Sequence, residues 1–411
     1  MSSAARYLLQ IGKTSRAFLP TILLLPTAAF AQTEPRVTVD VSANATAESN
    51  PFFETNGESA ISATLQIDPK VYWEDEKTNV VVDASLRMTQ YLQNYGNDIG
   101  GRVGVLANRQ LSTRTSLNAS AGFQSSRSRV QDFFVGSLNA PLDPVEFPDV
   151  TFTDVTVAGR RTRTQTLDAS LGLDHVLSED QSVGVFGGTS YSRFSASDQS
   201  DFRTASLGAR YRLQYSERTS ITAGITASTA DYIGTNNGDA RIFNPQVGIE
   251  NKINERVSFT ANLGVALASV DDMFKVSTNK TYLTGAVSIC DRGVISALCG
   301  SASRTAGPTA LGGIRAVTNF ALVFDKQLSR KDRIILSGRY GQTSESSSPL
   351  AVSGSRNSQL YGVTGTYAKD IGERLSFVVT PSFSKIVERR ARDEANYAIT
   401  VGIRLRLGKL R

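Results

Sequence analysis

The 411-residue chain is poor in the residues that build most catalytic and metal sites. It has one histidine, two cysteines and one tryptophan. One histidine cannot form a two-histidine metal site, and two cysteines cannot form a zinc-cysteine site or a disulfide scaffold. The histidine, His175, precedes a short polar turn, where a base for an enzyme is not expected. The sequence therefore predicts no enzyme, no metal and no cofactor, and it offers no catalytic, cofactor-binding or metal residue.

The first 31 residues have the pattern of a cleaved secretory signal peptide. A basic start from Arg6 to Arg16 precedes an apolar stretch over 17–30, and Ala29-Phe30-Ala31 fits the small-x-small rule for cleavage. The alternative is a membrane anchor, although the stretch is short for a span and two prolines interrupt it. Cleavage would lower the formal net charge from +6 to +3, and nothing in this balance indicates nucleic-acid binding.

Alternation of apolar and polar residues dominates the rest of the chain. After residue 31 there is no run of 18 apolar residues, so the sequence predicts no spanning helix. Period-two alternation is typical of strands with two unlike faces. The last segment shows it best, with small, polar or basic residues between Tyr397, Ile399, Val401, Ile403, Leu405 and Leu407.

Short polar turns flanked by apolar residues recur along the chain. Their first residues are 73, 111, 177, 215, 253, 328 and 371. A step near 38 fits two strands, one turn and one loop, whereas the two longer steps indicate enlarged loops near 127–163 and 271–314. Solenoids and propellers also repeat at this length, but the hairpin pattern after a signal peptide favours a barrel.

These patterns predict an all-β fold. Over 32–411 we expect one transmembrane antiparallel up-and-down β-barrel of about 16 strands. Lipid offers no partner for backbone N–H and C=O groups, so only a helix or a closed sheet can cross it. The predicted location is the outer membrane of a Gram-negative bacterium, with outer-membrane lipid as the surroundings. The pattern leaves the oligomeric state unknown.

The last alternating segment resembles the assembly signal that the outer-membrane assembly machinery reads. Thr400, Gly402, Leu405 and Leu407 give the form polar-x-Gly-x-x-apolar-x-apolar. The segment departs from the commonest form because it does not end on an aromatic residue, and 408–411 follow it. The resemblance implies this machinery as a partner.

The chain also resembles a porin family. Its motifs are Glu48-Ser-Asn50-Pro51-Phe52-Phe53, Asp68-Pro69 and the repeated Leu-Ser-x-x-Thr-Ser turns, and the resemblance covers most of 36–407. The family is the beta-barrel porin 2-like one, outer-membrane barrels associated with exopolysaccharide export. The resemblance implies a transport or surface role in polysaccharide secretion, with polysaccharide as a partner, and it carries over no catalytic residue.

A barrel of this size would hold an aqueous channel, since about 16–18 strands leave an open lumen. Alternation places seven arginines and five acids on the inward face: Arg87, Arg102, Arg210, Arg212, Arg339, Arg404, Arg406, Asp83, Asp168, Asp174, Glu250 and Asp325. The excess of arginine favours anionic solutes or acidic polymers. The alternative is that the charges pair along the wall. The predicted function is therefore a porin-like channel for polysaccharide or small anionic solutes, against a non-conducting surface barrel that binds polysaccharide or partner proteins.

Both cysteines fall in the second enlarged loop. Eight residues separate Cys290 from Cys299, and Gly and Ser residues flank them, which indicates an exposed loop. The oxidising envelope permits a disulfide between them, and the alternative is two free thiols.

Overall fold

A computed structural model of the protein describes residues 35–127, 157–197, 199–233, 239–271, 277–344, 357–388 and 392–408. The predicted signal peptide lies outside these ranges. The described residues form eighteen strands: β1 (Arg36–Glu48), β2 (Ala60–Glu74), β3 (Thr78–Tyr91), β4 (Asn97–Ser112), β5 (Thr115–Arg127), β6 (Arg163–Ser178), β7 (Gln181–Phe194), β8 (Asp201–Ser216), β9 (Thr219–Ile233), β10 (Ala240–Lys252), β11 (Val257–Asp271), β12 (Ser277–Arg292), β13 (Ser296–Pro308), β14 (Ile314–Gln327), β15 (Asp332–Thr343), β16 (Ser358–Asp370), β17 (Leu375–Glu388) and β18 (Arg392–Gly408).

The strands form one closed antiparallel sheet. Each strand pairs with its neighbours in sequence, and β1 closes the barrel by pairing with β18 from Thr38↔Gly408 to Glu48↔Ala398. Closure gives every strand two hydrogen-bonding neighbours and leaves the sheet without an edge. The predicted all-β barrel is confirmed. Within the described ranges no helix is long and apolar enough to cross a membrane.

The barrel has eighteen strands instead of the expected sixteen, and the two additional strands form one hairpin. Residues 277–308, expected to be an enlarged loop, form β12 and β13 and the turn 293–295 between them. The longest step between the predicted turns, from 253 to 328, is about twice the usual 38 and contains this turn near its middle. The seven recognised turns all begin on a large apolar residue, whereas this one begins on Asp291-Arg-Gly293, so the turn pattern does not find it. The expected loop at 127–163 separates β5 from β6, and 128–156 lie outside the described residues.

The two ends of the barrel differ. Eight short turns lie at one end, together with Arg36 and Gly408, and nine connections, most of them longer, lie at the other. Outer-membrane barrels have short periplasmic turns and longer outer loops. We therefore call the short-turn end the periplasmic end and the opposite one the outer end.

The outer wall is apolar. Large side chains on the outward faces stay exposed, among them Leu65, Met88, Leu171, Leu207, Val247, Leu263, Leu283 and Val363. Aromatic rings cluster toward the outer end of this wall, where Tyr340 packs against Phe320 and Tyr361 at centroid distances of 5.8 and 5.1 Å. An apolar band with an aromatic belt is the surface that a lipid bilayer requires of a barrel. The barrel therefore has the outer surface of a membrane-spanning β-barrel.

Candidate functional site

The barrel lumen is the candidate functional site. The strand registers place all twelve predicted lumen charges on inward faces, and most of them form ion pairs. Arg102 lies 3.1 Å from Asp83, and Arg210 lies 3.0 Å from Asp174. The same pattern continues with Arg212–Glu250 at 2.6 Å, Arg406–Asp40 at 2.9 Å and Arg333–Asp325. Pairing along the wall, the alternative to a cationic lumen, therefore offsets much of the arginine excess.

Two of the predicted arginines are withdrawn from water to different degrees, since Arg404 is buried and Arg339 is half-buried. Arg404 retains 7% of its exposure and lies on the inward face of β18, two residues before Arg406. Arg339 lies inward on β15, opposite Ala321 and Gly362. Because Arg404 is buried and Arg339 is half-buried, we do not assign them to solute binding.

Glycines let several inward side chains lie flat against the wall. Asp83 faces Gly104 directly across the register, and a Cβ added to this glycine would come 2.8 Å from Asp83 Oδ1. The same relation holds for Asp168 over Gly122, where the distance would be 2.9 Å. It recurs at the pairs Asp174–Gly184, Asn44–Gly402 and Phe186–Gly208. Because these side chains run along the wall, they leave the middle of the lumen free.

The outer half of the lumen is narrowed by chain folded inward from one side. The anchor segment, residues 157–161, reaches the wall at Glu388, which binds Arg160 at 3.6 Å and Arg392 at 2.6 Å. Arg392 also donates to the Ala158 carbonyl at 3.3 Å. The Glu388 side chain is 1% exposed, so this is a buried charge held by two arginines.

The β1–β2 connection packs against the same segment. Phe52 is buried against Tyr95 of the β3–β4 connection, with ring centroids 5.0 Å apart, and the Arg161 guanidinium lies over both rings. Burial raises the pKa of the Tyr95 hydroxyl, which donates to the Glu58 carbonyl. The hydroxyl therefore stays protonated and keeps this bond at physiological pH.

A second inward fold narrows the lumen from the opposite part of the wall. In the β13–β14 connection, residues 309–313, the Gly313 carbonyl accepts a hydrogen bond of 2.8 Å from the Tyr232 hydroxyl. The Ala310 carbonyl accepts a bond of 2.7 Å from Ser200 of the β7–β8 connection. Beneath this connection lies a buried apolar cluster that includes Ile242 and Tyr282. The outer half is thus narrowed by these connections, whereas many inward residues nearer the periplasmic end remain exposed.

The disulfide lies elsewhere than expected. Cys290 and Cys299 are bonded, but they are directly opposed residues of β12 and β13, so the expected exposed loop is wrong. Cys299 is 7% exposed, and the bond fastens the hairpin that the turn pattern missed.

The lone histidine is remote from the lumen. His175 shares the outward parity of Leu171 and Leu173 on β6, and its Nδ1 lies 2.9 Å from Thr115 Oγ1. A base in this position has no access to a solute inside the barrel. In the predicted assembly signal, Thr400 and Gly402 face inward, and Leu405 and Leu407 face outward on β18. Recognition by the assembly machinery stays a prediction.

No family model matches the chain, and no curated protein matches it. Among solved structures, it is similar to the outer membrane protein OpdK of Pseudomonas aeruginosa at 12% identity, covering 90% of this chain and 99% of that chain, with a TM-score of 0.49. OccK2 (OpdF) of the same organism, solved with glucuronate, is 10% identical over 92% and 99%, with a TM-score of 0.48. Acinetobacter baumannii OccAB4 is 10% identical over 92% and 99%, with a TM-score of 0.46.

These three proteins share little sequence with this chain. At such identities and TM-scores, their solutes carry no argument about this lumen. The resemblance to porins associated with exopolysaccharide export is likewise a prediction.

Proposed function

We propose that the protein is a porin-like channel through which small polar solutes cross the outer membrane. The observation that carries this proposal is the polar inward face, on which charged side chains lie flat over glycines such as Gly104 and Gly122. A barrel of about 16–18 strands is wide enough for an aqueous path when its side chains do not fill it. Paired charges keep that path wet without closing it.

The inward folds support small solutes over a polymer. The anchor segment and residues 309–313 enter the outer half from two parts of the wall and are tied down by several hydrogen bonds and ion pairs. A polysaccharide chain needs a continuous wide path, so its export would require these contacts to break. The paired arginines also weaken the case for strong preference toward anions.

A second candidate function is a non-conducting barrel that binds a partner at the cell surface. The observation in its favour is the buried Glu388 with its two arginines, which fixes the anchor segment inside the barrel. Firm attachment of this kind would suit a closed lumen as well as a narrowed one.

A liposome swelling assay separates the two candidates. Vesicles loaded with a large dextran and containing the folded protein are diluted into isotonic glucose, and light scattering follows their volume. We expect rapid swelling in glucose and none in isotonic dextran. Vesicles without protein and vesicles with heat-unfolded protein are the controls. Folded protein that leaves the vesicles impermeable to glucose would favour the surface barrel.

A further inference from the structure

One row of inward residues stands out from the rest of the wall. It crosses six neighbouring strands near the periplasmic half, and each member is the direct register partner of the next. The row consists of three amides, then one ring between two glycines: Asn79, Asn108, Asn118, Gly172, Phe186 and Gly208. All of its members except Gly208, together with residues on either side, line a recess of about 710 Å³.

Phe186 is an aromatic ring inside a polar lumen. It occupies an inward position of β7, where its alternating neighbours are Gly184 and Gly188. A Cβ added to Gly208 would overlap the ring, so the ring lies across that glycine and against the wall. The residue is still 37% exposed, which leaves one side of the ring toward the lumen. Leu106, 56% exposed in the adjoining row, extends the apolar surface of the recess.

Polar groups with both donors and acceptors border the ring. Asn108 Nδ2 donates to Asn118 Oδ1 at 2.6 Å, and Asn118 Nδ2 donates to Asp174 Oδ2 at 3.1 Å. Asp174 in turn pairs with Arg210, which lies 3.0 Å away and is 56% exposed. This chain of hydrogen bonds fixes the orientation of the Asn108 and Asn118 amides. Each amide has further donors or acceptors that a solute in the lumen can bond.

We propose that this recess binds the ring of a neutral sugar during passage, with Phe186 as a stacking platform. A pyranose has a face of C–H groups, which suits the negative face of an aromatic ring, and a rim of hydroxyls that both donate and accept hydrogen bonds. Sites that fix such ligands combine an apolar surface with a few oriented polar groups. The inference rests on the proposed channel function and names its solute class.

The charges of the recess select against an anion. Asp174 and Arg210 balance each other, so the lining has no net charge from this pair. A carboxylate or phosphate that bound Arg210 would have to compete with Asp174 and would approach its negative charge. A neutral hydroxyl can bond to either partner and leave the ion pair intact.

Phe186 also has a purely structural role available to it. An aromatic side chain that covers a glycine on the neighbouring strand stabilises the pairing of the two strands. This role requires no ligand. A test of sugar binding therefore needs a measured quantity that changes when sugar binds and does not depend on the pairing of the strands.

Current through the protein in planar bilayers supplies that readout, with maltotriose as the probe. We expect maltotriose to interrupt the ion current of the natural protein, and Phe186→Ala to raise the half-blocking concentration about tenfold. Phe186→Tyr should keep the block, because a ring remains. Phe123→Ala removes the same side chain from the outward face of β5 and should leave the block unchanged. Glucuronate at the same concentration should block less.

Three results would overturn the inference: no block by maltotriose in a conducting channel, equal block in Phe186→Ala with unchanged ion conductance, or stronger block by glucuronate. A folded protein that carries no ion current would contradict the proposed channel function and would not by itself test sugar binding. In that event titration calorimetry with maltotriose decides the inference alone. Heat of binding that disappears in Phe186→Ala sustains it, and absence of heat in the natural protein refutes it.

Discussion

At the scale of single residues, the pairing of glycine with a larger inward residue organises the lumen. Alternation along one strand predicts which face a residue occupies, and it placed Asp83 and Asp174 inward. It cannot predict that each lies over a glycine, because Gly104 and Gly184 are partners only through the register between strands. That register depends on turn lengths and on the whole sheet, so it appears only in the folded barrel.

The glycine under Phe186 gives a residue-scale prediction. Gly208→Ala places a methyl group where the ring lies. The shifts that accommodate it should lower the free energy of unfolding by about 1–3 kcal/mol. Gly338→Ala is the matched control, because nothing lies within 4 Å of the added Cβ. Urea unfolding of both variants in detergent measures the difference. Equal stabilities would show that the ring does not rest on Gly208.

The ion pairs give a second prediction at this scale. Asp174→Asn removes the carboxylate that pairs with Arg210. At low salt it should increase the permeability of the channel to chloride relative to potassium by roughly twofold. The effect should be smaller at high salt, because salt screens exposed charges. Asp291→Asn removes the same charge from an outward position and should have no effect. Reversal potentials in a KCl gradient measure the ratio. An unchanged ratio in Asp174→Asn would mean that ions do not pass this part of the wall.

At the scale of elements, the composition of the turns determines which hairpins can be predicted from the sequence. The seven recognised turns share an apolar-Ser or similar start, and they correctly mark seven hairpins. The eighth turn begins on Asp291-Arg-Gly293 and has a different composition, so the turn pattern predicts a loop where the structure has a hairpin. The step lengths contain the missing signal, since the longest step is close to twice the ordinary one. Inward folding of the connections left no such signal, because it rests on contacts such as Arg160–Glu388 between distant parts of the chain.

The anchor segment supplies the prediction for this scale. Glu388→Gln removes a buried charge from two arginines, and loss of one partner of a buried pair costs about 3–5 kcal/mol. We expect the segment to detach from the wall, with larger and noisier single-channel currents. The control is Asp393→Asn, which breaks the exposed ion pair with Lys385 on the same two strands. An exposed pair contributes only about 0–1 kcal/mol to stability. Identical currents in both variants would show that the anchor does not narrow the path.

At the scale of the whole molecule, the sequence predicted more than at either smaller scale. The barrel, its two unlike ends and its apolar outer wall follow from alternation, turn spacing and the needs of a backbone in lipid. The contents of the lumen cannot be predicted from these patterns, because eighteen strands with the same outward faces can enclose an open lumen or a filled one. The described lumen combines a narrowed outer half with an inner half whose polar side chains lie along the wall.

Ion current through the purified barrel tests this combination most directly. Reconstituted into a planar bilayer between KCl solutions, the natural protein should insert in discrete steps of stable, ohmic current, because the inner half is open and the outer half narrowed. Its folded state is verified beforehand by the β-sheet circular dichroism of the same sample. A folded, inserted protein that carries no current would contradict a conducting lumen and would leave the surface barrel as its function.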